Sequence, residues 1–168
     1  MTTMQSREEA FQQVARELGH SFDGEMRTGG NYVPAVEHGD EVYVSGQIPR
    51  VGDMVVVTGR VGKDVSLEQG RHAAKICAMR ALAILRQTLG NLDRIRKVLR
   101  ITVYVQCAED FTQQSEVADG ASEVLHAVLS SAGRPTRTSV GVYQLPKNAP
   151  VEIDMIVAVD PAHASKRS

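Results

Sequence analysis

The sequence predicts a mixed α/β (α+β) domain of order ββαβαββ, with a mixed sheet covered by two helices on one face. Three observations carry this. The 168 residues suit one domain at ~100 to 200 residues each, and such a chain buries roughly 70% of its unfolded surface without a disulfide or metal. Short runs rich in β-branched residues are interleaved with longer apolar stripes of helical period. Ser-led capping boxes mark where helices begin.

Taken in order, Ser6 and Glu9 make the first capping box, Phe11, Val14 and Leu18 form one stripe, and Gly19 stands where a helix stops. Residues 20–31 are rich in Gly and polar groups and read as a loop. Residues 41–48 and 54–58, bounded by Pro49, Gly52 and Gly59, read as a hairpin of two short strands. Ser66 and Gln69 repeat the capping box, and Ala74, Ala78, Ala81, Leu82, Leu85 and Leu89 line one face of a helix ending at Gly90. In residues 97–106, Leu99, Ile101, Val103 and Val105 share one face of a strand, and Arg100, Thr102, Tyr104 and Gln106 share the other.

Asp110 and Phe111 open another helical stretch, expected to break near Asp119 and Gly120 and to end at Gly133 and Pro135. Residues 136–143 and 151–159 are the closing strands, joined by a turn around Leu145, Pro146, Lys147 and Asn148. Two helices cover only one face of such a sheet, yet runs such as Val55, Val56, Val57 and Met155, Ile156, Val157 are apolar on both. The second face is therefore expected to be covered by another copy of the chain.

Composition narrows the function. Lys and Arg number 19 against 20 Asp and Glu, and aromatics are 4% with no Trp, so neither a basic surface nor stacking platforms for bases are present. Nucleic acid is not an expected partner. No stretch approaches ~18 consecutive apolar residues and the first residues lack an apolar leader core, so a cytoplasmic protein away from membranes is expected.

The usual chemical signatures are missing: there is no phosphate-binding glycine loop, nucleophile elbow or HExxH. Cys77 and Cys107 are neither paired at CxxC spacing nor flanked by His, and His20, His38, His72, His126 and His163 are scattered, so no metal is expected. Cys77 reads as a core residue, while Cys107 at a strand end is more ambiguous. What remains is polar: Arg137 and Ser139 share a face of one closing strand, and Glu152 and Asp154 share a face of the other. An Arg in an apolar strand needs an anion. Either Arg137 pairs with Glu152 or Asp154, or it clamps a substrate carboxylate with a nearby acid to handle water. A simple hairpin pairing Val142 with Val151 puts Glu152 on the face of Arg137 but roughly 13 Å away, at ~3.3 Å per residue; a one-residue slip puts it on the opposite face. A shared site then needs bulged strands or residues from a neighbouring subunit.

Two blocks, GNYVPAVEHGDEVYVSGQIP (residues 30–49) and RPTRTSVGVYQLPKNAPVEID (residues 134–154), resemble the signatures of the RidA/YjgF family of reactive-intermediate deaminases, also described as L-PSP endoribonucleases. The chain is most similar to a longer branch with an N-terminal helix. The resemblance implies a helix and loop extension over 1–29, a family domain over 30–160 and a flexible tail over 161–168. It also implies a chorismate-mutase-like fold assembled as a homotrimer, with sites in the clefts between subunits.

By the same resemblance, Arg137 grips the substrate carboxylate and Glu152 orients the hydrolytic water. Tyr32, Ser45 and Gly46 line the cleft, and Ser139 replaces a cysteine of the shorter members. A family asparagine on the last helix has no clear counterpart, Ser115 being one candidate. Gly46 also reads as an ordinary bulge or close-approach glycine. The implied reaction is cofactor-free hydrolysis of small 2-imino or enamine acids such as 2-aminoacrylate to 2-keto acids and ammonia. The alternative is a non-catalytic binder or sensor of small carboxylates using the same cleft. A ribonuclease is disfavoured by the near-neutral charge, the few aromatics and the lack of a His pair.

Overall fold

The structure is a computed structural model and describes residues 5–162. Both capping boxes form. Ser6 Oγ accepts from the Glu9 amide at 3.2 Å and the Ser6 amide donates to Glu9 Oε2 at 2.8 Å, opening α1 (Arg7–Leu18), which ends on Gly19 at φ 72°. Ser66 and Gln69 make the same exchange at the start of α2 (Leu67–Leu89), closed by Gly90 at φ 87°. Such a positive φ is open to Gly at little cost. Phe11 and Val14 bury the inner face of α1, and Phe11 meets Phe22 edge-on at 6.5 Å.

The sheet comprises β1 (Ala35–His38), β2 (Glu41–Gln47), β5 (Ile95–Gln106), β6 (Thr136–Val142) and β7 (Val151–Val159), in spatial order β1-β2-β7-β5-β6. Only β5 and β6 are parallel. They are linked through α3 (Gln114–Leu129), which packs beside α2 on one face of the sheet. Along β7 every odd residue from Val151 to Val159 is buried under the helices, and the even ones face the other way. The mixed sheet with helices on one face is as the sequence predicts.

Four local expectations need correction. The run from Glu41 does not pair with residues 54–58. It turns back on β1 through Gly39 and Asp40, a two-residue loop with Gly39 at φ 62°, and leaves β3 (Arg50–Val51) and β4 (Met54–Val55) as a separate ribbon. The closing strands are not a hairpin, because β5 lies between β6 and β7. The α3 helix runs unbroken through Asp119 and Gly120; a Cβ on Gly120 would collide with the Arg71 carbonyl, so this glycine lets α2 and α3 approach. Finally, a register shift between Val98 and Arg100 turns Leu99 outward and puts Val98 in the core. Of the expected tail, residues 163–168, and with them His163, lie outside the described residues.

The long connection from β6 to β7 is pinned from beneath by Gln106, which is fully buried. Its Nε2 donates to Asn148 Oδ1 at 2.8 Å and to the Gly59 carbonyl at 3.3 Å, and its Oε1 accepts from the Leu145 amide at 2.7 Å. Gln106→Leu strands all three partners, and leaving buried polar groups unpaired costs ~1–3 kcal/mol each before relaxation. A chemical denaturation midpoint shifted by at least ~2 kcal/mol is expected; an unchanged midpoint would show that the turn does not depend on this network.

Candidate active site

Glu152 follows from the alternation of β7. With Val151 and Ile153 under the helices, its side chain must emerge on the open face, opposite Tyr104 of β5. There it meets an irregularity in β2. Val44 pairs with Met155 and Gln47 with Ile153, so Ser45 and Gly46 together oppose Asp154 alone. This bulge brings the Gly46 backbone against Glu152, and a Cβ at that position would lie 2.9 Å from Glu152 Cδ and closer still to Oε1. Gly46 is thus both a bulge and a close-approach glycine.

Ser45 faces the other way. Its amide and hydroxyl both donate to the Pro34 carbonyl, at 2.9 and 3.1 Å, which ties β2 to the loop carrying Tyr32. Tyr32, Gly46 and Glu152 line one cavity of about 200 Å³ with Arg27, Arg50, Arg80 and Lys147. Burial first, and then the charge of Asp154, hold the Glu152 carboxyl above the usual carboxylate range. No hydrogen bond or ion pair to its carboxylate opposes that shift among the described residues.

Arg137 and Ser139 sit elsewhere. In β6 they lie beside Ile101 and Val103 of β5, on the helix-covered face, whereas Glu152 opposes Tyr104 on the open face. The hairpin register that put Arg137 and Glu152 on one face is overturned by the strand order. Nor does Arg137 pair with Glu152 or Asp154. Its Nη1 donates to Asp119 Oδ1 at 2.8 Å and Ser122 Oγ at 2.9 Å, and its Nη2 to Ser115 Oγ at 2.8 Å and the Ser115 carbonyl at 3.3 Å. Asp154 instead accepts from the Tyr104 hydroxyl at 3.0 Å. The six expected positions therefore divide: Tyr32, Gly46 and Glu152 share a cavity, Ser45 supports it from behind, and Arg137 with Ser139 forms a second locus at the sheet edge.

Sequence reading named Ser115 as a candidate but missed its helix-face partners Asp119 and Ser122, and it missed Arg80; both had visible signals. Ser115, Asp119 and Ser122 are spaced four and three apart, one helix face pointed at Arg137. Arg80 interrupts the run Ile76 to Leu85, otherwise apolar, and is almost fully buried against Gln47 and the Arg50 carbonyl. The other candidates are quiet. Cys77 is wholly buried, which pushes its thiol well up, and no three His, Cys, Asp or Glu side chains among the described residues are grouped to hold a metal. No helix among them is long and apolar enough to cross a membrane.

Comparison with known proteins now bears on these two loci. Residues 23–159 match the family model described as endoribonuclease L-PSP. Protein TCP17 of Trypanosoma cruzi is 38% identical over 131 residues, 77% of this chain and 82% of its own. A 2-iminobutanoate/2-iminopropanoate deaminase of Dermatophagoides farinae is 29% identical over 132 residues, 78% of this chain and 88% of its own. The solved structure of the protein Atu1372 from Agrobacterium tumefaciens is 38% identical and superposes with a TM-score of 0.81, covering 92% of this chain and 95% of that one. With the family model spanning the whole sheet and both helices that cover it, the chain belongs to the endoribonuclease L-PSP family, the RidA/YjgF family that its two sequence blocks resemble.

Proposed function

We propose that the protein hydrolyses small 2-imino and enamine carboxylic acids, such as 2-aminoacrylate, to 2-keto acids and ammonia without a cofactor, as a cytoplasmic enzyme. The observation that carries this is Glu152: a carboxyl with no partner among the described residues, seated in a cavity, and held above its ordinary pKa by burial. Such a group is a weaker acid, and so a stronger base, than an ordinary carboxyl, which suits one that must take and return a proton in the hydrolysis of a C=N bond. The D. farinae relative, named as an iminobutanoate and iminopropanoate deaminase, supports the same chemistry.

An enamine acid first tautomerises to the imine. Ionised Glu152 takes a proton from a water as the water oxygen bonds to the imine carbon, and the nitrogen takes a proton from solvent to give a carbinolamine. Glu152 then returns its proton to that nitrogen, the C–N bond breaks, ammonia leaves, and the hydroxyl proton passes to solvent as the keto group forms. Placement supplies most of the remaining rate, since the imine carbon is already electrophilic. Arg137 would provide placement by holding the ligand carboxylate. Its present partner Asp119 has a side chain 49% exposed against 20% for Arg137, so solvent reaches the acid of the pair, and a bidentate ligand carboxylate would have to displace it from the guanidinium.

Arg137 and Glu152 occupy opposite faces of one sheet, so a site using both needs two copies. The open face offers a surface for that, with Val36 at 50%, Tyr43 at 45% and Val140 at 38% exposure. We therefore place the site in the clefts of a homotrimer, where the edge of β6 and α3 in one copy closes the Glu152 cavity of the next. Sedimentation at micromolar concentration should give three times the mass of the 18.3 kDa chain; a mass equal to one chain would remove the cleft. The second reading, a binder of small carboxylates without turnover, draws on the cations around Glu152 and is separated by the assay below.

Glu152→Gln should lower ammonia release from freshly generated 2-aminoacrylate by ~10²- to 10⁴-fold, while folding stays intact. The sign follows from linkage. Because the folded pKa of Glu152 is raised, its ionised form opposes folding above that pKa, and the opposition fades as pH falls towards the unfolded value. The melting temperature of Glu152→Gln should then match or exceed that of the wild type at neutral pH, with the difference closing in acid. A variant with full activity would reject the acid/base role; carboxylate binding without turnover in the wild type would favour the binder.

A further inference from the structure

The cavity beside Glu152 is lined by Arg27, Arg50, Arg80 and Lys147 and by no other carboxylate. Four cations thus line a cavity that holds one acid, and none of them bonds to it among the described residues. Arg27 pairs outward with Glu25 at 3.3 Å, but Arg50, Arg80 and Lys147 have no ion pair among the described residues. Arg80 is the informative one. Only 4% exposed, it donates from Nε to Gln47 Oε1 at 3.2 Å, from Nη1 to the Arg50 carbonyl at 3.0 Å and from Nη2 to the Arg27 carbonyl at 3.5 Å, all neutral oxygens. Arg50 has a buried Nε with no hydrogen-bond partner among the described residues. A buried guanidinium without a counter-anion is destabilising, and burial together with the charge of Arg50 works against that of Arg80. A second anion entering the cavity would relieve both.

We infer that the Glu152 cavity holds a second acidic group of the ligand, so that the preferred substrates are imines of dicarboxylic amino acids. This rests on the deaminase reading for the word substrate, and on the cation cluster alone for the word dicarboxylic. With the first carboxylate at Arg137 of a neighbouring copy and the reacting carbon at Glu152, the side-chain carboxylate points inward to Arg50, Arg80 and Lys147. The cavity of about 200 Å³ corresponds to roughly seven waters at ~30 Å³ each, the scale of a four- or five-carbon acid.

The test combines binding and turnover. By calorimetry, succinate should bind the wild type at least ~10-fold more tightly than propionate, and Arg50→Gln and Lys147→Gln should each narrow that ratio. Lys147 is an exposed turn residue, so its variant keeps the result interpretable if Arg50→Gln fails to fold. Equal affinity for the two acids, or a preference untouched by a folded variant, overturns the inference. Turnover is then compared for iminosuccinate and 2-iminopropanoate, each generated in situ by oxidation of its amino acid. A higher kcat/KM for iminosuccinate supports the inference. Turnover of 2-iminopropanoate without that preference overturns it while leaving the deaminase reading intact. Ammonia release from neither imine faster than in buffer alone, with the succinate preference present, rejects the deaminase reading and leaves the diacid site standing.

Discussion

The arrangement depends on one contact, between the Glu152 carboxylate and the bare backbone of Gly46. A side chain at position 46 would occupy the place of the carboxylate, and without the bulge at Ser45 and Gly46 the pair would not face each other in this way. The contact is reached from both strands for ordinary reasons. Alternation along β7 sends the odd residues into the core and leaves Glu152 on the open face. The extra residue in β2 lets Val44 and Gln47 both stay buried while the chain between them bends outward. The acid is thus desolvated by neighbouring backbone and loop without being neutralised.

The two chemically promising groups are treated in opposite ways by the fold. Among the described residues Glu152 is left unpaired, with a raised pKa, in a cavity it shares with Arg80, whose bonds all go to neutral oxygens. Arg137 donates four hydrogen bonds to acceptors of its own chain and sits across the sheet. In the function we propose, one copy holds two half-sites, each with what the other lacks. That division makes assembly part of the chemistry in our reading, and it gives the exposed apolar residues of the open face a role beyond solubility.

Much of this was legible in the residues. The capping boxes at Ser6 and Ser66, the terminal glycines and the alternation in residues 151–159 are local signals whose physics does not depend on the rest of the chain, and each forms as read. What failed depended on pairing. Strand order decides whether Arg137 and Glu152 share a face, and no local pattern reveals that β5 inserts between β6 and β7. Gly39 and Asp40 form a short hairpin loop, but the stronger β-branched run at residues 54–58 suggested the wrong partner. Asp119 and Gly120 look like a helix break until α2 is seen passing close to Gly120. At the site, Arg80 within an apolar helical run was a visible anomaly; the bulge that seats Glu152 was visible only as a glycine.

The central claim, that Arg137 of one copy and Glu152 of another complete each site, is tested most directly by subunit mixing. Glu152→Gln and Arg137→Ala, each inactive alone, are unfolded together and refolded at equal ratio, with mixed assembly confirmed by mass. Because each cleft draws one residue from each of two copies, about a quarter of the clefts in randomly mixed trimers regain both native groups, and activity should return to about that fraction of wild type. Mixed trimers that remain as inactive as their parents would contradict the account.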